Sequence, residues 1–438
     1  MRRARITNPE AATRQAVLDL RNKFDYPVDP APASNPFIGG GGGAPTVVVA
    51  ASDASDFSKA KADFVCTGLD DEDPINIAAA SLNGVYGRIL LTEGTFNLSN
   101  TISLTSGISL IGMGRSATTL DYASTTGPII SPGAGAEIAN MTILGTATDF
   151  GIQGGTHDYV VIRQCFFSWV TTAIDLTGDY WQILNNGEVT PFSTTFVRDN
   201  SLFRFTRIIG NTTEGVYDMG DGTDWLIANN SGESAIYADG SLRAAIVGNS
   251  WSVNPNAPDD SVIDLANCQY ITIADNSMAE ASYTALKLDT CDFITVTGNV
   301  FASSEHGVWL TNSSDCAITG NLIHWSGFHG IYVAGNHNTV VGNRIIDPAT
   351  GSGGSYDGIY VAGNRNLIEA NQINPESANT RNGVNVASGE CNMVVGNDLG
   401  DCDLYTSDCL TDTGANTQLF YPNDATYGDN FTDCGTGS

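Results

Sequence analysis

The chain has 438 residues, 48 of them glycine and only 15% charged, with 48 acids against 19 bases and a formal charge of −29. That length can bury a large core without a second globular domain, and that charge argues against a protein wrapped on nucleic acid. No apolar run approaches a membrane span, and Met1-Arg-Arg-Ala-Arg-Ile-Thr leads into no apolar signal core, so neither membrane insertion nor export behind a leader is expected.

Residues 1–24 form the first expected element. Asn8-Pro9-Glu10 joins a capping side chain, a proline suited to the first helical position and an acid in the first turn, which together start a helix. Ala12, Ala16, Leu20 and Phe24 follow at helical spacing. Six bases (Arg2, Arg3, Arg5, Arg14, Arg21, Lys23) stand against Glu10 and Asp19. A short basic helix on an acidic body reads as an attachment peg contacting through Arg2, Arg3, Arg5, Arg14, Leu20 and Phe24, or as a solvated tail. Residues 25–45 are Pro-rich, then carry five consecutive glycines at 39–43, a tether that uncouples the helix from the body.

Residues 46–86 read as a cap. Thr46-Val-Val-Val-Ala50 predicts a strand, and 54–65 a helix with Phe57, Ala60 and Phe64 on one face. Asp70-Asp-Glu-Asp73 precedes a second helix over 74–82, whose N-terminus favours acids. Such elements cover the open end of a strand stack.

From residue 87 to 397 the chain repeats itself. Gly330-Ile-Tyr-Val-Ala-Gly-Asn-His-Asn-Thr-Val-Val-Gly-Asn343 returns as Gly358-Ile-Tyr-Val-Ala-Gly-Asn-Arg-Asn-Leu-Ile-Glu-Ala-Asn371. The closing Asn recurs at 230, 249, 276, 299, 321, 343, 371 and 397, and a period of about 22 residues marks a solenoid. Each copy holds short alternating runs split by Gly and Asn, the pattern of strands. The closing Asn tolerates a left-handed backbone, and strands stacked about 4.8 Å apart align its side chain into a ladder. The expected fold is all-β: a single-stranded parallel β-helix with short N-terminal helices. Residues 398–438 lose the repeat and read as a far cap.

The entry segment carries a resemblance. Val-Val-Val-Ala-Ala-Ser-Asp-Ala, then Asp-x-x-x-Ile-x-x-Ala-Ala, Gly-Arg-Ile-Leu-Leu-Thr-Glu-Gly-Thr-Phe and Ser-Leu-Ile-Gly-Met-Gly-Arg resemble the start of the pectate-lyase-like β-helix superfamily. They are particularly similar to the versions in viral tail spikes and minor tail proteins. The resemblance covers roughly Thr46 to Asn397 and implies a right-handed helix, a homotrimer, other virion tail proteins as partners of residues 1–45, and a host-surface polysaccharide as ligand. This fold hosts lyases, hydrolases, epimerases and adhesins alike. Two readings therefore stand: a virion spike presenting its flank to a glycan or to partner subunits, and a polysaccharide lyase or glycoside hydrolase acting on an acidic polysaccharide.

The repeat also defines surface columns. In Gly-Ile-Tyr-Val the middle residue points outward, which places Tyr217, Tyr237, Asp264, Lys287, Trp309, Tyr332, Tyr360 and Asn385 in one column. Aromatic side chains there suit sugar rings or a subunit interface, although strands favour them in any case. One position before each repeat glycine stand His306, His329, Asp357 and Asn382. With Glu305 next to them, His306, His329 and Asp357 are the catalytic candidates, and His324 is a further polar one. Turn polarity is the alternative. Glycoside hydrolysis needs two carboxylates, and uronate elimination a base with Ca²⁺ or Arg. Asp218, Asp221 and Asp224 could serve a cation such as Ca²⁺, but they lack a full calcium signature; no cofactor or metal is expected. Of nine cysteines, Cys268 and Cys291 each lie eight residues before a ladder Asn and read as interior fillers. Cys402, Cys409 and Cys434 cluster near the end and could include one disulfide.

Overall fold

The computed structural model describes residues 44–82, 85–124, 127–176, 178–188, 194–199, 203–252, 261–279, 281, 283–302, 304–350, 355–375, 380–399, 410–414, 417–420 and 431–433. The expected basic helix with Arg2, Arg3, Arg5, Arg14, Leu20 and Phe24, nearly all of the tether, and Cys402, Cys409 and Cys434 lie outside the described residues. Contacts divide the chain into Met1–Pro45 and Thr46–Ser438.

Residues from Thr46 onward build a right-handed parallel β-helix. A coil in the regular half contributes three short strands, Ile331–Ala334, Thr339–Val341 and Arg344–Ile346, before the next begins at Ile359–Val361. Coils stack in register, with Ile331 opposite Ile359, Tyr332 opposite Tyr360 and Val333 opposite Val361. One face is a continuous 17-stranded sheet. The other two share long strands near the start, where Thr142–Gln153 and Phe166–Leu176 run through both. Each strand's central or alternate residue turns inward, so Ile318, Val340, Ile368 and Val394 form a fully buried file. Each such side chain contributes about 2 kcal/mol of apolar burial.

Two features hold the coils at their corners. The closing asparagines form the expected ladder, longer than the repeat indicated: it begins at Asn186 and Asn211 before reaching Asn230. Each ladder Asn receives both the backbone N–H and the side-chain amide of the one before. Asn299, for example, donates to Asn321 Oδ1 at 2.9 Å from its backbone and 3.0 Å from its Nδ2. The left-handed residue is not the ladder Asn but the one before it: Gly298, Gly320 and Gly342 have φ of +67°, +64° and +67°, and Ala370 has +53°. The turn bends there, which aims the following amide inward. The repeat glycines have a separate cause. A Cβ on Gly330 would lie 2.6 Å from Ile345 Cγ2 and 2.7 Å from the Gly358 carbonyl oxygen, so only glycine fits.

The cap differs in part from expectation. The second helix spans Glu72–Ser81 and buries Ile75, Ala78 and Ala79. The first is only Asp56–Lys59; Phe57 is exposed, and Phe64–Val65 form a strand against Thr46–Ala50. Backbone groups of Asp63 and Cys66 are taken by that strand's carbonyls, which outcompetes a longer helix. Cys268 and Cys291 are buried thiols, as are Cys66, Cys165 and Cys316. Among the described residues, no helix is long and apolar enough to cross a membrane.

Candidate functional site

One sheet presents an outward column whose register runs Asp175, Arg198, Asp218, Tyr237, Asp264, Lys287, Trp309, Tyr332, Tyr360, Asn385. Tyr217, expected here, is a correction. It is fully buried, pairs with Val197 and Ile236, and packs edge-on against Phe196. A register shift between Thr195 and Val197 moves the column to Asp218. The lower half of this flank is charged but paired: Arg198 meets Asp175 at 2.9 Å, and Lys287 meets Asp264 at 2.8 Å. Asp218, held above the usual carboxylate range by burial, completes it.

The upper half is aromatic. Trp309 and Tyr332 lie 5.1 Å apart, as do Tyr332 and Tyr360, the latter pair parallel to within 3°. The two tyrosine rings therefore stack on each other along the column. Tyr283 continues the row beside Trp309, and Phe328 stacks on Tyr356 at 4.3 Å along the adjoining corner.

The residues before the repeat glycines lie beneath this layer. Asp357 is fully buried and accepts from Arg381 Nε at 2.9 Å and Arg381 Nη2 at 2.5 Å. It also accepts from the Asn382 backbone at 3.1 Å, Asn382 Nδ2 at 2.6 Å and Asn385 Nδ2 at 3.0 Å. A carboxylate offers about four lone-pair directions, so Asp357 is saturated and acts as an anchor for Arg381 and the two amides. Its own N–H donates to His329 Nδ1 at 3.0 Å, which fixes the His329 proton on Nε2. Burial, with Arg381 nearby, holds the His329 imidazole down at about 4 against the pull of Asp357. Burial and His329 hold His306 at about 3. Both rings are neutral at pH 7. His306 contacts Trp309 at 4.3 Å and Phe328 at 5.1 Å, and its Nδ1 has no partner.

The structure thus brings His306, His329, Asp357, Asn382, Trp309, Tyr332 and Tyr360 together. Glu305 stands half-buried at the rim, its carbonyl accepting from Phe328. His324 lies in a different strand stack, between Ala302 and Ile346, and against Trp325. The acids of the Met219 loop separate: Asp218 joins the flank, while Asp224 is taken by Arg243 at 2.8 Å. Sequence reasoning missed Arg381, Tyr283, Phe328 and Tyr356. All stand one position before the glycine-minus-one column, where loops of unequal length blur the spacing.

Neutral buried histidines make a pH prediction. Their folded values lie below the ordinary 6.5, so the unfolded chain takes up protons first as pH falls. Stability is therefore full above about pH 7 and declines below it, by about 2 kcal/mol per histidine at pH 5. Denaturant midpoints at the two pH values check this, and His306→Gln/His329→Gln should lose much less on acidification.

A profile of the family described as periplasmic copper-binding protein (NosD) matches residues 229–413. No curated protein matches the chain. Among solved structures, tailspike protein 3 of bacteriophage CBA120 aligns with a TM-score of 0.51 at 12% identity, over 83% of this chain and 60% of that one. The A-module of mannuronan C-5 epimerase AlgE6 from Azotobacter vinelandii gives 0.43 at 15% identity, over 81% and 93%. DFA-IIIase from Arthrobacter chlorophenolicus A6 gives 0.37 at 14%, over 85% and 94%. At these identities the likeness is one of fold. Copper favours converging imidazole and sulfur ligands. Among the described residues no three His, Cys, Asp or Glu side chains converge to hold a metal, and the His306–His329 pair is walled by aromatic rings, so this donor set does not fit the ion.

Proposed function

We propose that the chain is a tailspike-type virion protein whose β-helix flank recognises a host-surface glycan. The observation that carries this is the buried Asp357 paired with the half-buried Arg381, with two neutral imidazoles, under an aromatic layer on one flank. Stacking coils does not require it, since a threonine, Thr284, fills the equivalent place beside His306, and buried polar clusters beside a surface layer mark functional sites. The fold shared with a phage tailspike supports the same reading. In this reading the protein works outside the cell as a homotrimer, detectable by light scattering, and docks on other tail proteins through residues 1–45.

Tyr332→Ala and Tyr360→Ala are each expected to weaken glycan binding about tenfold, or about 1.4 kcal/mol, with little change in the unfolding midpoint because both rings are half-exposed. Affinity electrophoresis in host-surface polysaccharide checks this; unchanged mobility for both variants would remove the flank from recognition. Cleavage is the second reading: His306 carries a ring nitrogen without a hydrogen-bond partner on this flank, although burial holds both imidazoles well below the basicity that suits proton transfer at pH 7. Release of new chain ends from the bound polysaccharide reads it. Hydrolysis by paired carboxylates is disfavoured, since Asp357 has no lone pair to spare.

A further inference from the structure

We infer that the ligand of this flank is an uncharged glycan, built of neutral hexose or N-acetylhexosamine units, and not a polyuronate or sulfated chain. This rests on the glycan reading above and narrows it. Two independent observations carry it.

The first is the state of the charges. The cations of the column and its border are Arg198, Lys287 and Arg381, and each is clamped by its own carboxylate: Asp175, Asp264 and Asp357. Arg198 also lies over the Phe150 ring at 4.7 Å, and Gln153 shares Asp175 at 2.6 Å. A sugar carboxylate arriving here would have to displace an acid already in place, at the cost of leaving that acid buried without its cation. Asp218 adds a further acid to the same column, and a chain of net charge −29 repels polyanions before contact.

The second is the state of the uncharged groups. Thr284 Oγ1, Ser304 Oγ, His306 Nδ1 and Ser326 Oγ are buried without a hydrogen-bond partner. They lie together: Thr284 pairs with His306 across the strands, and Ser326 Oγ is within 3.4 Å of where a Gly307 Cβ would stand. These atoms are closed to the surface, so what they show is that the ground beneath this part of the flank is polar and uncharged, with no buried ionic partner among the described residues waiting for a sugar acid. His329 points the same way, since its fixed tautomer leaves Nε2–H as a donor without charge. The flank has satisfied its charges, and the histidine beneath its aromatic layer offers a neutral N–H donor.

The test uses the full chain and two panels of immobilised polysaccharides. The neutral panel is galactomannan, glucan, mannan and chitin oligomers; the anionic panel is polygalacturonate, alginate and a sulfated galactan. The expected result is binding within the neutral panel, changing less than about twofold between about 50 and 500 mM NaCl, because no ion pair forms to be screened. Asp264→Asn, which frees Lys287 of its carboxylate, should gain polygalacturonate binding at low salt. Binding confined to the anionic panel, or weakened tenfold or more by that salt step, would overturn the uncharged-ligand inference and leave the glycan reading intact. Binding to neither panel would overturn both.

Discussion

Replacing Asp357 with Ala is expected to cost the β-helix about 3–5 kcal/mol, because several buried donors lose their acceptor at about 1–3 kcal/mol each. The side chain is small and its apolar loss slight. What the substitution leaves behind is large: the Arg381 guanidinium, the Asn382 backbone and amide and the Asn385 amide all lose the acceptor they share. Asp357→Asn should cost less, because one acceptor oxygen survives, but its amide donors would face those of Asn382 and Asn385. A double variant, Asp357→Ala/Arg381→Met, should recover little of the loss, since the Arg381 side chain is 34% exposed and reaches water by itself, while the amides stay unsatisfied. Urea midpoints across the cycle check this. A double variant much more stable than Asp357→Ala would mean that the charge, and not the amides, sets the cost. In every member of the cycle glycan binding should fall, because Asn385 and Arg381 line the surface that Tyr360 borders.

How much of this site could be read from the sequence depends on which residues follow the repeat. His306, His329, Asp357 and Asn382 hold a fixed offset from the glycines, so their column was legible, and so were Trp309, Tyr332 and Tyr360 three places on. Arg381 was not. It lies in a corner where insertions of differing length enter, and alternation ends there. The ion pair that organises the site therefore joins a legible residue to an illegible one. Tyr217 shows the opposite failure: its aromatic character and spacing fit the column, yet one extra residue near Thr195 moved it to the inside. Because side chains alternate, a shift of one residue exchanges core for surface. The parallel stacking of Tyr332 on Tyr360 was beyond sequence altogether, since periodicity fixes which residues are neighbours and not how their rings turn. At the corner, Gly-Asn was legible as a pair, but its division of labour was not. The glycine supplies the left-handed bend, and the asparagine stays buried to make the bonds.

That division makes the ladder the second place where one substitution should act strongly. Asn321→Ala removes the acceptor of two buried donors of Asn299. It also removes the amide that bonds the Val296 carbonyl at 3.1 Å and Asn343 Oδ1 at 2.9 Å. With about 1–3 kcal/mol for each buried group left unsatisfied, a loss of about 3–5 kcal/mol is expected. Asn321→Asp should be no better: it keeps an acceptor for Asn299 but sets a buried carboxylate oxygen against Asn343 Oδ1, where an amide proton stood. The form of the unfolding curve is the more telling readout. In a solenoid each coil touches only its neighbours, so stability is the sum of coil and interface terms. Weakening one interface near the middle of the regular half should separate the melting of the coils on its two sides. Two transitions in Asn321→Ala, where the natural chain shows one, would establish the ladder as the coupling between coils. A single transition shifted to lower denaturant would instead assign that coupling to the apolar file of Ile318, Val340 and Ile368, and reduce the ladder to a local device that sets register.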